Sequence, residues 1–183
     1  MSNLATALIL VLQQAVPAVA QDRINAVTED MINVVDHDYN NHVLKSDMST
    51  KDALALLTGV IVIESGLRLD VETCKANGDG GRSIGLGQVM SGPNWEGHSR
   101  KDICANRKLQ LRLALHVLDT CWSKTPAPDA ALRCYAAGDA SRYSSTARRE
   151  LEVYKKARAA IDSLPASLPV SLPKSSQVLV KST

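Results

Sequence analysis

Glu64 is the residue of this chain best placed to move a proton. It closes the run Ala53-Leu54-Ala55-Leu56-Leu57-Thr58-Gly59-Val60-Ile61-Val62-Ile63, standing three residues after Ile61, four after Val60 and seven after Leu57. Helical geometry therefore puts its side chain on the face those apolar groups occupy. A carboxyl on such a face loses hydration, which favours the neutral acid and raises its pKa, the property a general acid needs near neutral pH. The plainer alternative is a glutamate that swings into solvent at a frayed helix end, and Glu64 taken alone fits that better. Acid–base chemistry that uses a pair of carboxyls would need a second such group close by. Asp70, Glu72 and Asp79 are the neighbours in sequence that could supply one. Other chemistry is poorly served. His37, His42, His98 and His116 fall in no nucleophilic motif, the cysteines lack the CxxC pairing of a zinc site, and Asp70, Glu72, Asn77 and Asp79 do not have EF-hand spacing. No metal and no cofactor is required.

Two further blocks follow Glu64-Ser65: Ser83-Ile84-Gly85-Leu86-Gly87-Gln88-Val89-Met90, and Ala131-Leu132-Arg133-Cys134-Tyr135-Ala136-Ala137-Gly138. In this order they resemble the signature of the lytic transglycosylase (SLT) family, in which a helix ends in Glu-Ser, a Gly-Leu-Met-Gln turn follows and a Tyr-Asn-Ala-Gly block closes the pattern. The resemblance spans about residues 53–161. It departs at Gly87, where the family usually has Met, at Ala136, where it usually has Asn, and in a Gly-rich insertion between Glu64 and Gln88. It implies a compact lysozyme-like helical domain that cleaves the bond between N-acetylmuramic acid and N-acetylglucosamine in peptidoglycan. Glu64 would be the single acid/base, Ser83, Gln88 and Met90 would line the saccharide groove, and Tyr135 would lie close to the Glu64 carboxyl. The product would be an anhydro sugar formed without water. A lysozyme-type hydrolase, using Asp70 or Asp79 as the second carboxylate, and an inactive structural or glycan-binding protein that keeps the fold are the alternatives.

Helices must position these groups. Aromatic residues make up only 3% of the chain and Phe is absent, so the core has to be built from Leu, Ile, Val and Ala, which predicts an all-α domain. Ile24, Val27, Met31, Val34 and Val35 form one stripe between Asp22 and Tyr39. Ser49-Thr50-Lys51-Asp52 has the pattern of a capping box and predicts a helix starting near Thr50, with Gly66 as its stop. From Asp70 to Gly92 periodicity disappears and a long loop is expected. A helix is predicted from about Asp102 to Trp122, a short one from about Asp129 to a Gly138 cap, and a last one with Leu151, Tyr154 and Ile161 on one face. That makes five helices or so.

The 183 residues suit one domain with appendages: an apolar segment over 1–20, a transglycosylase domain over 21–162 and a Ser/Leu/Pro-rich tail over 163–183. Residues 1–21 carry no charge and end near Ala18-Val19-Ala20, which fits a signal peptide and an uncleaved anchoring helix equally. The tail repeats Ser-Leu-Pro from Ser163, Ser167 and Ser171, favouring an extended chain that is either a flexible appendage or a docking strand. Cys74, Cys104, Cys121 and Cys134 fit two disulfides or four buried thiols equally. A net charge of +2 without a basic cluster argues against nucleic acid as a partner. The expected partners are peptidoglycan strands and, through the two ends, a larger assembly. That assembly is a phage virion acting in the host periplasm during genome ejection, or a secretion or conjugation apparatus served by an enzyme exported to the bacterial periplasm.

Overall fold

The helix that carries Glu64 near its end is buried along most of its length, and five other helices pack around it. A computed structural model describes residues 2–76 and 78–165. In chain order the helices are α1 (Asn3–Ala15), α2 (Gln21–Asn40), α3 (Thr50–Ser65), the single turn α4 (Leu69–Glu72), α5 (Arg100–Ala105), α6 (Arg107–Lys124), α7 (Pro128–Ala137) and α8 (Ser145–Asp162). Two short strands, β1 (Ser83–Ile84) and β2 (Val89–Met90), pair antiparallel with Ser83 opposite Met90. The protein is mainly helical, and the loop expected over 70–92 carries this hairpin and two helical turns, α4 and a 3-10 turn over Asp79–Gly81.

A helix buried all round needs neighbours on all sides, and α3 has them: it packs on α8 most extensively and also on α2, α6, α7 and α1. Ser49 starts it, its hydroxyl accepting a hydrogen bond from the Asp52 amide at 3.1 Å, and Gly66 stops it in the left-handed conformation at φ 57°. Gly59 decides how closely α8 can approach. A Cβ at that position would sit 2.7 Å from the carbonyl oxygen of Glu150, so only glycine lets the two backbones touch there.

The helix expected from Asp102 to Trp122 is two helices. Asn106 leaves helical geometry and its side chain accepts from the Leu109 amide at 3.1 Å, restarting the chain as α6, while Ser99 caps α5. In α8 the buried residues are Ala147, Glu150, Tyr154, Ala157 and Ile161; Leu151 stands beside this stripe, partly exposed. Residues 1–20 do not form a separate packing unit, because Leu8 and Leu12 of α1 are fully buried and α1 packs on both α2 and α8. No described helix is long and apolar enough to cross a membrane. The cysteines form two disulfides, Cys74–Cys104 and Cys121–Cys134. Of the tail beginning at Ser163, the repeats from Ser167 onward lie outside the described residues, as does Asn77.

Candidate active site

The end of α3 turns Glu64 toward a cleft of about 420 Å³ and locks it there through its neighbour. The Ser65 hydroxyl donates to the Ile61 carbonyl at 2.7 Å and accepts from the Leu67 amide at 3.2 Å, so the serine of the Glu-Ser pair lines the cleft beside Glu64 with its hydroxyl committed to closing the turn. Glu64, half-buried, lines the cleft with Val62, Ile63, Arg68, Gln88 and Arg149. Loss of hydration raises its pKa above the ordinary carboxylate value. A hydrogen bond with Glu150 pulls the other way, the Asp79 charge adds to the rise and Arg149 opposes it.

Glu150 is the residue the sequence reading passed over. It is fully buried, and no donor from another described residue reaches either of its oxygens. Its contact is the Glu64 carboxyl, and two carboxyls can hydrogen-bond only when one of them holds a proton. Desolvation and the Glu64 charge push the Glu150 pKa up to about 8, against a smaller opposing pull from Arg149. The signal was present in the sequence, because residues 147, 150, 154, 157 and 161 alternate in steps of three and four with one acid among apolar side chains.

Tyr135 lies against this pair. Its residue surface is partly exposed, yet its hydroxyl sits deep enough that burial, followed by the Glu64 and Glu150 charges, raises its pKa well above the usual tyrosine value. The hydroxyl donates to the Gly87 carbonyl at 2.6 Å. That contact explains the glycine where the SLT pattern has Met: a Cβ at 87 would stand 2.6 Å from the Ala114 Cβ and 2.8 Å from the Tyr135 hydroxyl.

Gln88 lines the cleft, but its side chain is committed within the loop, accepting from the Gly78 amide at 2.8 Å and donating to the Gly85 carbonyl at 2.9 Å. Ser83 is buried, its hydroxyl donating to Asp79 at 3.0 Å, and Met90 is half-exposed on β2; neither lines the cleft with Glu64. The hairpin is held from below by Gln110, also missed, which accepts from the Leu86 amide at 2.9 Å and donates to the carbonyls of Glu72 and Ile103, each at 2.8 Å.

The three candidate second carboxylates part company. Glu72 is ion-paired with Arg23 at 2.6 Å and with Arg107 at 3.7 Å, and Asp70 with Arg68 at 3.1 Å. Asp79 alone of the three acts on the Glu64 titration. No group of three or more metal-ligating side chains occurs among the described residues. The chain matches no protein-family model, and no curated protein and no solved structure matches it.

Proposed function

We propose that this protein is a peptidoglycan lytic transglycosylase with a lysozyme-like fold and Glu64 as its single acid/base. The observation that carries the proposal is a half-buried glutamate with a raised pKa at the mouth of a cleft, backed by a second carboxyl that solvent does not reach. In the first step Glu64 gives its proton to the oxygen joining muramic acid to glucosamine. The C1–O bond breaks, its electron pair stays on the departing glucosamine O4, and positive charge develops at the muramic C1. The Glu64 carboxylate then takes the proton of the muramic C6 hydroxyl as O6 bonds to C1. Glu64 ends protonated, and no water enters.

Glu150 is too deep to activate a water across the sugar, which favours the lyase. Asp79 supports the second reading, a hydrolase, since it is the loop carboxylate whose charge Glu64 feels. Digestion of purified sacculi in heavy-oxygen water separates the two. Products ending in 1,6-anhydromuramic acid are expected, with Asp79→Asn losing less than about tenfold in rate; reducing ends carrying the heavy oxygen would make Asp79 the second carboxylate. The site and resemblance suit local opening of the wall for phage genome ejection, with a secretion or conjugation apparatus as the other setting.

A further inference from the structure

The α3–α8 crossing buries a second acid directly behind the first. Gly59 lets the α8 backbone meet α3 at Glu150, whose carboxyl is hydrogen-bonded with that of Glu64. Nothing else among the described residues satisfies it: both of its oxygens are buried without another partner there, and the residue has no solvent exposure. An ionised carboxylate in that position would be an unpaired buried charge, a state proteins avoid by keeping the proton.

We infer that Glu150 is a positioning residue that stays protonated through the catalytic cycle and donates a hydrogen bond to Glu64, fixing its rotamer and supporting the carboxylate left after Glu64 has given its proton away. This deepens, and rests on, the assignment of Glu64 as acid/base. When Glu64 is protonated the pair holds two protons. When its proton has gone to the leaving oxygen, the remaining one, on Glu150, points at the new anion. Return of a proton from the C6 hydroxyl restores the first state, so Glu150 ends each turnover as it began. The charged and titratable groups facing the pair are Tyr135 from α7, Arg149 on α8 itself and Asp79 from the loop; α1, which also packs on α8, carries no charge. Among the described residues, only the Glu150 carboxyl combines complete burial with contact to Glu64 and a pKa near 8, high enough to stay neutral where Glu64 works.

The test compares Glu150→Leu and Glu150→Gln with wild type and Glu64→Gln, measuring kcat and KM on sacculi across the pH range. Glu150→Leu removes the donor and keeps the bulk. It is expected to lower kcat roughly 10- to 100-fold with KM little changed, the range given by the loss of a hydrogen bond to a charged group. It should also move the basic limb to higher pH, because the donor that lowers the Glu64 pKa is gone. Glu150→Gln, whose amide can still donate, should recover at least about tenfold of that loss. A Leu variant with wild-type kcat and pH profile, beside an inactive Glu64→Gln, would reduce Glu150 to a packing residue and leave the acid/base assignment standing. An active Glu64→Gln would remove that assignment itself. A folded Gln variant as impaired as the Leu one would overturn the neutral-donor role. The unmodified protein provides a measurement that does not depend on any variant folding. Titration of glutamate-labelled wild type by carbon-13 NMR should show one glutamate carboxyl titrating near pH 8 and perturbing a second as it does so. If every glutamate titrates in the ordinary carboxylate range, the inference is wrong.

Discussion

Two buried carboxylates at the far end of α2 and α6 are treated quite differently from the pair beneath the cleft. Asp119 accepts from the Lys45 amide at 2.8 Å and the Ser46 amide at 3.0 Å, and Asp38 is held by Arg112 at 3.2 Å and His116 at 2.9 Å. Glu150, equally buried, has only another acid. The first two carboxylates stand among donors, whereas the other two press on each other at a spot that opens on the cleft. Asp119 holds the loop at Lys45 and Ser46 and Asp38 ties α2 to α6, while the Glu64–Glu150 pair can bond only by holding a proton, the kind of perturbed titration that marks a candidate functional site.

The strongest way to break this contrast is Glu64→Gln. Sacculus lysis should fall by roughly 100- to 10,000-fold while the helical circular-dichroism signal stays near wild type, because the amide keeps the shape and loses the proton. Near-wild-type turnover would erase the functional half of the comparison. On the structural side, Asp119→Ala leaves two loop amides and the Ser46 hydroxyl without their acceptor. It should destabilise the fold by about 2–5 kcal/mol, seen as a melting-temperature drop of roughly 5–15 °C. A drop of under about 1 °C would show that the loop does not depend on Asp119.

A smaller effect sharpens the same contrast through pH. The folded-state pKa of Glu150 lies above its ordinary value of 4.5, so the stability it contributes is fully present below that value and is lost as the pH rises through about 8. Glu150→Leu has no such group. Its melting temperature should therefore gain on wild type as the pH rises from about 4.5 to 8, by about 5 °C or more. A gap that does not change with pH would mean that Glu150 ionises as readily folded as unfolded.

How much of this was legible in the sequence depended on how local the cause was. Ser49, Gly66 and Gly138 announce helix ends because caps act within a few residues, and the structure has α3 and α7 ending where those residues predict. Glu64 stood out as an acid closing an apolar run. Asn106 has the same capping chemistry as Ser49 but lies inside an apolar pattern long enough to pass for one helix. Glu150 was overlooked because Leu151 drew the face of α8 one residue to the side; the three-and-four alternation through Ala147, Tyr154, Ala157 and Ile161 includes the acid. The commitments of Ser83, Gln88 and Gln110 could not be read at all. The hairpin strands are two residues each, too short for periodicity, and Gln110 reaches the loop across a sequence distance of 24 residues to Leu86.

Gly59 ties the carboxyl pair beneath the cleft to a position that does not line it. It sets the depth to which α8 sinks onto α3, and through that depth the distance between two acids. A single added methyl group would push the Glu150 carbonyl, and α8 with it, away from α3 and loosen the contact between the Glu150 and Glu64 carboxyls. The acidity of Glu64 is thus tied to the gauge between two helix backbones, set at a residue that does not line the cleft.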